Sequence, residues 1–380
     1  MLIAQNEKNK LITANQNLSK NANYYCPSCK HPVHLKVGTV IQTHFAHYQN
    51  QNCTAFSEGE TPEHLKGKIQ IAQTLGEMRL HARGAGGSNL EFEMEAYLPE
   101  LKQRPDLLVT TGNRKIALEF QCSAIPIELV EERTRGYLKA GYEVIWILGQ
   151  NFQYKNNLTA FQRACLSLHP FSEQKRLCLF NYDVDKDQLT IRSDFQVQWN
   201  EKMTCKKKIW EVGNKFDFTN REQFKPSVRS QTDLKSRHQK LFKEMRSPAS
   251  NTRSFFQLLY QNSESIISMP LELYQVVPNE WLLQTNAYEW KYHFVLWLES
   301  LPKGRILTKD MLNNWVEAKE SSEEIKYFII PQMNEQQKLA PFYEFIKVLL
   351  GAGMLNEVRP GKWSIQKKLQ RYKMLEDKFN

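Results

Sequence analysis

The strongest constraint on the fold is a set of cysteines and histidines near the N-terminus. Cys26 and Cys29 form a CxxC pair, and His44, His47 and Cys53 follow in the same short segment. A CxxC turn can direct two thiolates at one ion, and four such ligands complete a tetrahedron around zinc. In an extended QTHFAHY stretch the two histidines project to opposite faces, so they are not expected to share an ion. The spacing predicts a zinc site of Cys26, Cys29, His47 and Cys53, with His44 as the alternative ligand.

The predicted zinc site is expected to be structural, because closed four-ligand sites usually are. The segment up to about residue 58 is too short to build a large core, and the ion would replace that core. The chain has seven cysteines and no pattern of an export signal, so a disulfide framework is not expected. The sequence also contains no apolar run of about 18 residues. We therefore expect a cytoplasmic protein without a membrane span.

The charge of the chain indicates an anionic partner. Hydrophobic residues make up 41% and charged residues 24%, which is typical of a folded globular protein, and the net charge is +10. Such a balance favours nucleic acid as partner, although a solvated basic surface would have the same composition. Between residues 221 and 253, nine lysines and arginines stand against three acids. In that stretch Lys235, Arg237, Lys240 and Lys243 are candidate DNA-binding residues. Phe224 and Phe242 could stack on bases, and a plain basic linker is the alternative.

Changes in sequence texture divide the chain into four segments. Residues 1–58 hold the cysteine and histidine cluster, and residues 59–200 alternate strand-like and helix-like patterns. Residues 201–253 read as a basic linker, and residues 254–380 carry apolar and aromatic residues at helical spacing. The last part of the chain predicts a helix, a glycine break and a hairpin. This is the order of a winged-helix module, and a helical bundle is the alternative.

Residues 59–200 begin with a predicted αβββαβ block. A helix starts at Thr61-Pro62 with an apolar stripe, and LEFEMEAYL, DLLVT and KIALEFQ follow as strands. A second helix, about 127–140, ends at Gly141, and YEVIWILG reads as a buried strand. A strand, helix and strand of this length imply a right-handed parallel crossover.

Two carboxylates are predicted to meet within this block. The turn at Gly112-Asn113 brings Asp106 close to the strand face that carries Glu119 and Gln121. Carboxylates that converge on one point repel each other unless a cation lies between them, and oxygen ligands suit Mg²⁺ or Mn²⁺. Glu63 could add a third oxygen. A charged hairpin face without metal is the alternative.

These motifs resemble the PD-(D/E)xK nuclease superfamily, and more closely the competence protein CoiA family. The resemblance rests on CPSC and HFAH in the first 58 residues, followed in order by TPEHLKGK, RPDLLV, ALEFQCS and ERTRGYLKAGYEVIWIL. It covers about residues 1–200. It implies an α+β fold with a restriction-endonuclease-like αβββαβ core, an N-terminal zinc-ribbon-like segment and a mainly helical C-terminal region.

The resemblance also implies roles for individual residues. Asp106 and Glu119 would bind the catalytic Mg²⁺ or Mn²⁺, and Glu63 would be the acid on the first helix. Arg133 and Tyr137, one turn apart on the second helix, would face the same cleft and bind DNA there, or else pack on the helix surface.

The sequence departs from the superfamily pattern at Gln121, which stands where a lysine is usual. Glutamine can orient water through hydrogen bonds but has no positive charge. Lys66 could be a relocated lysine, or an ordinary solvent-exposed one.

The function that the resemblance implies is natural transformation, in which the protein would process or recombine incoming single-stranded DNA. We expect a metal-dependent DNA nuclease in the competence system. The alternatives are a DNA-binding scaffold without catalysis, and an adaptor whose helical C-terminal region binds a recombination protein.

Overall fold

The computed structural model describes residues 1–38, 42–49, 53, 61–84, 90–169, 175–198, 202–211 and 231–379. The chain divides into two compact units. The first comprises Met1–Asp194, Lys206–Asn220 and Ile329–Gln332, and the second comprises Phe195–Cys205, Arg221–Phe328 and Met333–Asn380. Phe224, which the sequence nominated for base stacking, lies outside the described residues, as does the rest of 221–230. The four-segment division proposed from the sequence remains a prediction.

An antiparallel five-stranded sheet opens the first unit. Its strands are β1 (Ile3–Asn6), β2 (Leu11–Thr13), β3 (Tyr24–Tyr25), β4 (Pro32–Lys36) and β5 (His44–His47). They lie in the order β2-β1-β3-β4-β5. The β1–β2 hairpin pairs Ile3 with Thr13. A small core that includes Phe45 and Cys26 is buried beside this sheet.

An eight-stranded sheet with flanking helices follows, and most of its residues belong to the first unit. Its elements are α1 (Pro62–Gly84), β6 (Leu90–Met94), β7 (Leu107–Thr111), β8 (Arg114–Gln121), α2 (Ile127–Lys139), β9 (Glu143–Leu148), α3 (Ala160–Ala164), β10 (Ser167–Leu168), β11 (Leu177–Asp183), β12 (Gln188–Val197) and β13 (Met203–Glu211). The strand order is β13-β12-β11-β9-β8-β7-β6, and β10 pairs with β11. From α1 to β9 the described elements follow the predicted αβββαβ order, and β8 and β9 are parallel across the α2 crossover.

Local sequence explains where the two helices of this block begin and end. The backbone N–H of His64 donates to the Thr61 hydroxyl at 3.1 Å, which satisfies one of the free donors at the start of α1. The chain leaves α2 through Gly141, whose φ of 81° suits glycine, as predicted. The fold is therefore a mixed α/β architecture in which the helix boundaries agree with the capping signals.

Strand β8 is covered on both faces, which explains why its last six residues are all buried. On one face the Phe120 ring lies directly against Gly67 of α1. On the other face the Glu119 carboxylate is bonded by Tyr137 of α2. Glu119 and Gln121 therefore lie inside the unit, between the sheet and α2. A charged hairpin face open to solvent does not describe them.

The second unit is mainly helical and contains one small sheet. Its described elements are α4 (Gln231–Glu244), α5 (Ser250–Gln261), α6 (Ala287–Ser300), β14 (Ile306–Thr308), α7 (Lys309–Ser321), α8 (Glu335–Gly351), β15 (Leu355–Arg359), β16 (Lys362–Ile365) and α9 (Leu375–Phe379). Its core is rich in aromatic rings, and the sheet order is β14-β16-β15. The predicted order of a helix, a glycine break and a hairpin is confirmed by α8, Gly353 with φ of 68°, β15 and β16. The winged-helix assignment stays a prediction. None of the described helices is both long enough and apolar enough to cross a membrane.

Candidate functional site

Four side chains that could bind a metal ion converge beside the five-stranded sheet. The thiols of Cys26, Cys29 and Cys53 and the imidazole of His47 have their ligand atoms within 4.8 Å of one another. The Cys29 Sγ lies 3.3 Å from His47 Nε2, and the Cys26 Sγ lies 4.0 Å from the Cys53 Sγ. The set is Cys3His, which is a common structural zinc set, so this cluster could bind zinc.

The local backbone explains how the four ligands meet. A tight turn follows Cys26, whose N–H donates to the His31 carbonyl at 2.9 Å, and this turn brings Cys29 back to Cys26. His47 ends strand β5, and its partner across the sheet is Val33. His44 begins the same strand, and its Nδ1 is bonded to the Gln42 carbonyl at 2.9 Å. The structure therefore gathers the four residues chosen from the sequence and leaves out the alternative, His44.

Asp106 lies at the start of β7 and is held by groups from two other elements. Its Oδ2 accepts the Phe120 N–H at 2.8 Å and lies 3.1 Å from His64 Nε2. Its Oδ1 lies 3.6 Å from the Nζ of Lys68. Burial alone would raise the pKa of Asp106, but His64 and Lys68 outweigh it and hold the pKa well below 3.8. Asp106 is therefore ionised at neutral pH.

Lys68 is a buried cation that links Asp106 to a second buried acid. Its Nζ lies 2.6 Å from Glu95 Oε1, and both side chains are almost completely inaccessible. Glu95 also accepts the backbone N–H groups of Leu2 at 2.8 Å and Ile3 at 3.0 Å. Lys68 and Arg104 hold the pKa of Glu95 well below 4.5 although burial opposes them. Polar contacts therefore connect the backbone of Leu2 and Ile3, through Glu95 and Lys68, to Asp106.

The sequence interpretation missed Lys68 and considered Lys66 instead. Lys66 lies at the surface and pairs with the exposed Asp185 at 3.0 Å. The signal for Lys68 was its place on α1, three residues after Leu65 and four before Ala72, both of which are buried. A lysine on the buried face of a helix needs a partner, because an unpaired buried charge is costly.

Glu119 is fully buried beside the second helix. Its Oε1 accepts from Arg133 Nη2 at 2.5 Å and from the Tyr137 hydroxyl at 2.6 Å. Burial raises the pKa of Glu119 to about 7; the Arg133 guanidinium acts against this, and the charge of Asp106 adds to it. Arg133 and Tyr137 thus both contact Glu119, and Tyr137 is completely buried. Their predicted place in a DNA-binding cleft stays a prediction.

Gln121 ends β8, and Glu63 lies in the first turn of α1, from which its side chain reaches the end of β9. Gln121 is buried, and its Nε2 donates to the Ser123 carbonyl at 2.8 Å. Glu63 Oε1 accepts the Gln150 N–H at 2.7 Å, just after β9. A Cβ atom at position 149 would come within 2.5 Å of Glu63 Oε1 and 3.0 Å of the Cys122 Sγ, so a side chain there would displace the Glu63 carboxylate. Across the described ranges, the carboxylates of Glu63, Asp106 and Glu119 do not converge as the Cys3His ligands do.

The basic candidates on α4 separate into two groups. Lys235, Lys240 and Lys243 are exposed. Arg237 is buried, with its Nε 3.2 Å from the Tyr288 hydroxyl and its guanidinium 5.3 Å from the centroid of that ring. The prediction that Arg237 contacts DNA is therefore corrected: packing inside the second unit occupies this side chain.

Known proteins resemble this chain in both of the regions just described. Residues 60–220 match the nuclease-like domain of competence protein CoiA, which places the mixed α/β part in a nuclease-like class. Residues 5–56 match the N-terminal domain of competence protein CoiA. The two matches together span more than half of the chain, and the chain belongs to the competence protein CoiA family.

One curated relative is the Competence protein CoiA of Bacillus subtilis (strain 168). It is 31% identical over 140 residues, which is 37% of this chain and 35% of the relative. The matched part therefore spans about a third of the length of that relative. No solved structure matches the chain.

Proposed function

We propose that this protein is a divalent-metal-dependent DNA nuclease that processes incoming DNA during natural transformation. The observation that carries the proposal is a pair of carboxylates, the partly buried Asp106 and the buried Glu119, with the buried cation Lys68 3.6 Å from Asp106. The αβββαβ order supports a restriction-endonuclease-like core, and the name of the matching domain supports nuclease chemistry. The name of the Bacillus subtilis relative supports the competence role.

The electrostatics of the two carboxylates suit a divalent cation. The charge of Asp106 raises the pKa of Glu119, which is the effect expected of two acids that compete for one positive charge. Asp106 and Glu119 would hold Mg²⁺ or Mn²⁺, and Glu63 would be the third acid. Such an ion supplies an activated water and stabilises charge on the scissile phosphate.

In this proposal Lys68 supplies the positive charge that Gln121 lacks. It approaches Asp106 from α1, while Gln121 lies two residues beyond Glu119 on the same face of β8. Gln121 would orient the attacking water with its amide group. Arg133 would balance the charge of Glu119 and, with Tyr137, position that carboxylate.

A second candidate function is that of a DNA-binding scaffold without catalysis. The observation that favours it is the occupation of Glu119 by Arg133 and Tyr137, which leaves this carboxylate already neutralised. The test is incubation of the purified chain with labelled single- and double-stranded DNA, with Mg²⁺ or Mn²⁺. Metal-dependent products support the nuclease, whereas binding without products supports the scaffold.

Zinc binding is the first prediction. We expect about one zinc ion per chain, bound by the Cys3His cluster, and we expect Cys26→Ser to lose the ion and become poorly soluble. Elemental analysis of the purified protein measures the stoichiometry, with His44→Ala as the matched control, since His44 lies outside the cluster. Wild-type protein that contains no zinc contradicts the prediction.

The exposed lysines of α4 provide the second prediction. Reversing the charge at Lys235, Lys240 and Lys243 should weaken DNA binding and reduce the salt slope of the affinity by about two to three. Binding isotherms at several salt concentrations measure this slope. A control variant reverses Lys8, Lys10 and Lys139, which are also exposed, with the same change in net charge. If both variants keep the wild-type slope, α4 does not contact DNA.

A further inference from the structure

Helix α5 and the turn before it expose a groove that combines aromatic and cationic side chains. The groove has a volume of about 600 Å³. It is lined by Pro248, Arg253, Phe256, Gln257, Tyr260 and Gln261. Arg253, Phe256 and Tyr260 follow one another at helical spacing, so they form a single stripe along the outer face of α5.

Of the two aromatic residues in this stripe, Phe256 packs partly against the core, whereas Tyr260 does not belong to it. The inner face of α5 already buries Thr252, Phe255 and Leu259. On the outer face Phe256 is half-buried, whereas Tyr260 is 85% exposed. An exposed aromatic ring gains no free energy from burial in the free protein, and a partner that covers the ring would provide that gain.

The charge around the groove is positive. Lys243 and Arg246 lie at the end of α4 and Arg253 lies in the groove; all three are exposed, and within the described residues none of them forms an ion pair. The neighbouring acid, Glu244, is engaged by the hydroxyl of the buried Thr252 at 3.1 Å. Three exposed cations therefore stand against one acid beside the aromatic rings, which suits a partner with flat apolar surfaces and regular negative charge.

We propose that this α5 groove binds single-stranded DNA, with bases stacked on Tyr260 and Phe256 and phosphates near Arg253, Arg246 and Lys243. Every base has a face that can stack on an aromatic ring, and basic grooves with such rings are typical of single-strand binding. In a duplex those faces are covered by neighbouring base pairs. This inference rests on the proposed function and deepens it, because it names the form of DNA that the chain holds.

The test measures the affinity of the full chain for a labelled 20-nucleotide single strand and for the matching duplex. Neither divalent ions nor chelator are added, because a chelator would remove zinc and cleavage is not needed for binding. Tyr260→Ala should bind the single strand about tenfold more weakly, with little change for the duplex. Tyr260→Phe should keep the affinity, since the ring and not the hydroxyl is required.

Two further variants complete the design. Arg253→Gln should reduce the salt slope for the single strand by about 0.7, the value for one lost phosphate contact. Tyr48→Ala, which removes an exposed tyrosine of the first unit, is the matched control and should bind like wild type. Thermal unfolding should be unchanged in Tyr260→Ala because the ring is exposed.

Three outcomes would overturn the inference. The first is wild-type affinity of Tyr260→Ala for the single strand. The second is an equal loss of affinity for both DNA forms. The third is a wild-type dimer in sedimentation experiments that Tyr260→Ala dissociates, which would make the groove a contact between two copies. The binding test is made without divalent ions and does not depend on cleavage, so failure of the nuclease proposal and failure of the groove are separate results.

Discussion

Replacing Lys68 with methionine should destabilise the first unit by about 3–5 kcal/mol, the cost that is typical when one partner of a buried ion pair is removed. Methionine keeps the length of the side chain but leaves Glu95 and Asp106 without the cation 2.6 Å and 3.6 Å away. Chemical unfolding monitored by circular dichroism measures the free energy change. Lys66→Met is the matched control, since Lys66 is exposed, and its effect should stay within about 0.5 kcal/mol.

The loss in free energy of unfolding caused by Lys68→Met should be larger at neutral pH than at acidic pH. In the wild-type protein the pKa values of Glu95 and Asp106 are held below 4.5 and 3.8, and Lys68 is a cause in both cases. An acid whose pKa is lowered by folding stabilises the folded state at any pH above its pKa in the unfolded chain. It loses that contribution as the pH falls towards and through its pKa in the folded protein. The difference between wild type and variant should therefore be largest near neutral pH and should narrow below about pH 4.

A double variant identifies the source of this deficit. Glu95→Gln removes the acid nearest to Lys68, so Lys68→Met combined with Glu95→Gln should be less destabilised than the sum of the two single changes. If Lys68→Met unfolds at the same denaturant concentration as Lys66→Met, the buried network does not contribute to stability.

Local patterns predicted much of this fold because they report local physical requirements. The cap at Thr61, the stop at Gly141 and the alternation in β6 and β8 specify helix ends and strand faces. The ligand set at Cys26, Cys29, His47 and Cys53 followed from the same kind of local geometry. The helix ends and strand faces are decided within a few residues of the chain, and the ligand set within one short segment of it.

The features that the sequence missed depend on contacts between distant residues. Glu95 reaches back to the amides of Leu2 and Ile3, and Lys68 meets both Glu95 and Asp106. Arg237 lies in a basic stretch of the sequence and was therefore predicted to contact DNA, yet it is buried against Tyr288. Periodicity could place Lys68 on the inner face of α1, but the acid that compensates its charge is only visible in the folded structure.

The buried network also changes what is expected of Asp106. From the sequence, mutual repulsion with Glu119 suggested that Asp106 is strained until an ion arrives. In the structure Lys68 already lies 3.6 Å from its Oδ1, and its Oδ2 accepts the Phe120 N–H and lies 3.1 Å from His64 Nε2. A neutral asparagine loses these charge-assisted bonds, so Asp106→Asn should cost about 1–3 kcal/mol of stability rather than increase it.

The largest effect on activity is expected for Asp106→Asn. If Asp106 and Glu119 hold the catalytic ion, the variant should cleave DNA at least a hundredfold more slowly, on the order of the loss caused by removing one catalytic electrostatic group. Single-turnover cleavage of labelled single- and double-stranded DNA with Mg²⁺ or Mn²⁺ measures the rate. Asp185→Asn is the matched control, because Asp185 is an exposed acid paired with Lys66. Wild-type activity of Asp106→Asn would reject the metal site.

Substitutions at Gln121 distinguish a working ExQ site from a degenerate one. Gln121 is buried two residues after Glu119 on the same face of β8, where a water-orienting amide would be useful. If it orients the attacking water, Gln121→Ala should lose most of the activity. Gln121→Lys should keep or raise the activity, because it adds a cation on the same face as Glu119. If the wild-type protein is inactive and Gln121→Lys is active, the natural protein has kept the carboxylates of Asp106 and Glu119 but lacks the lysine that is usual at position 121. The remaining outcome is an inactive wild type that still binds DNA and gains no activity from Gln121→Lys. This outcome would support the scaffold function, because Mg²⁺ or Mn²⁺ is present in the assay and the variant supplies the positive charge. Neither a lack of metal nor a lack of the cation would then explain the absence of cleavage.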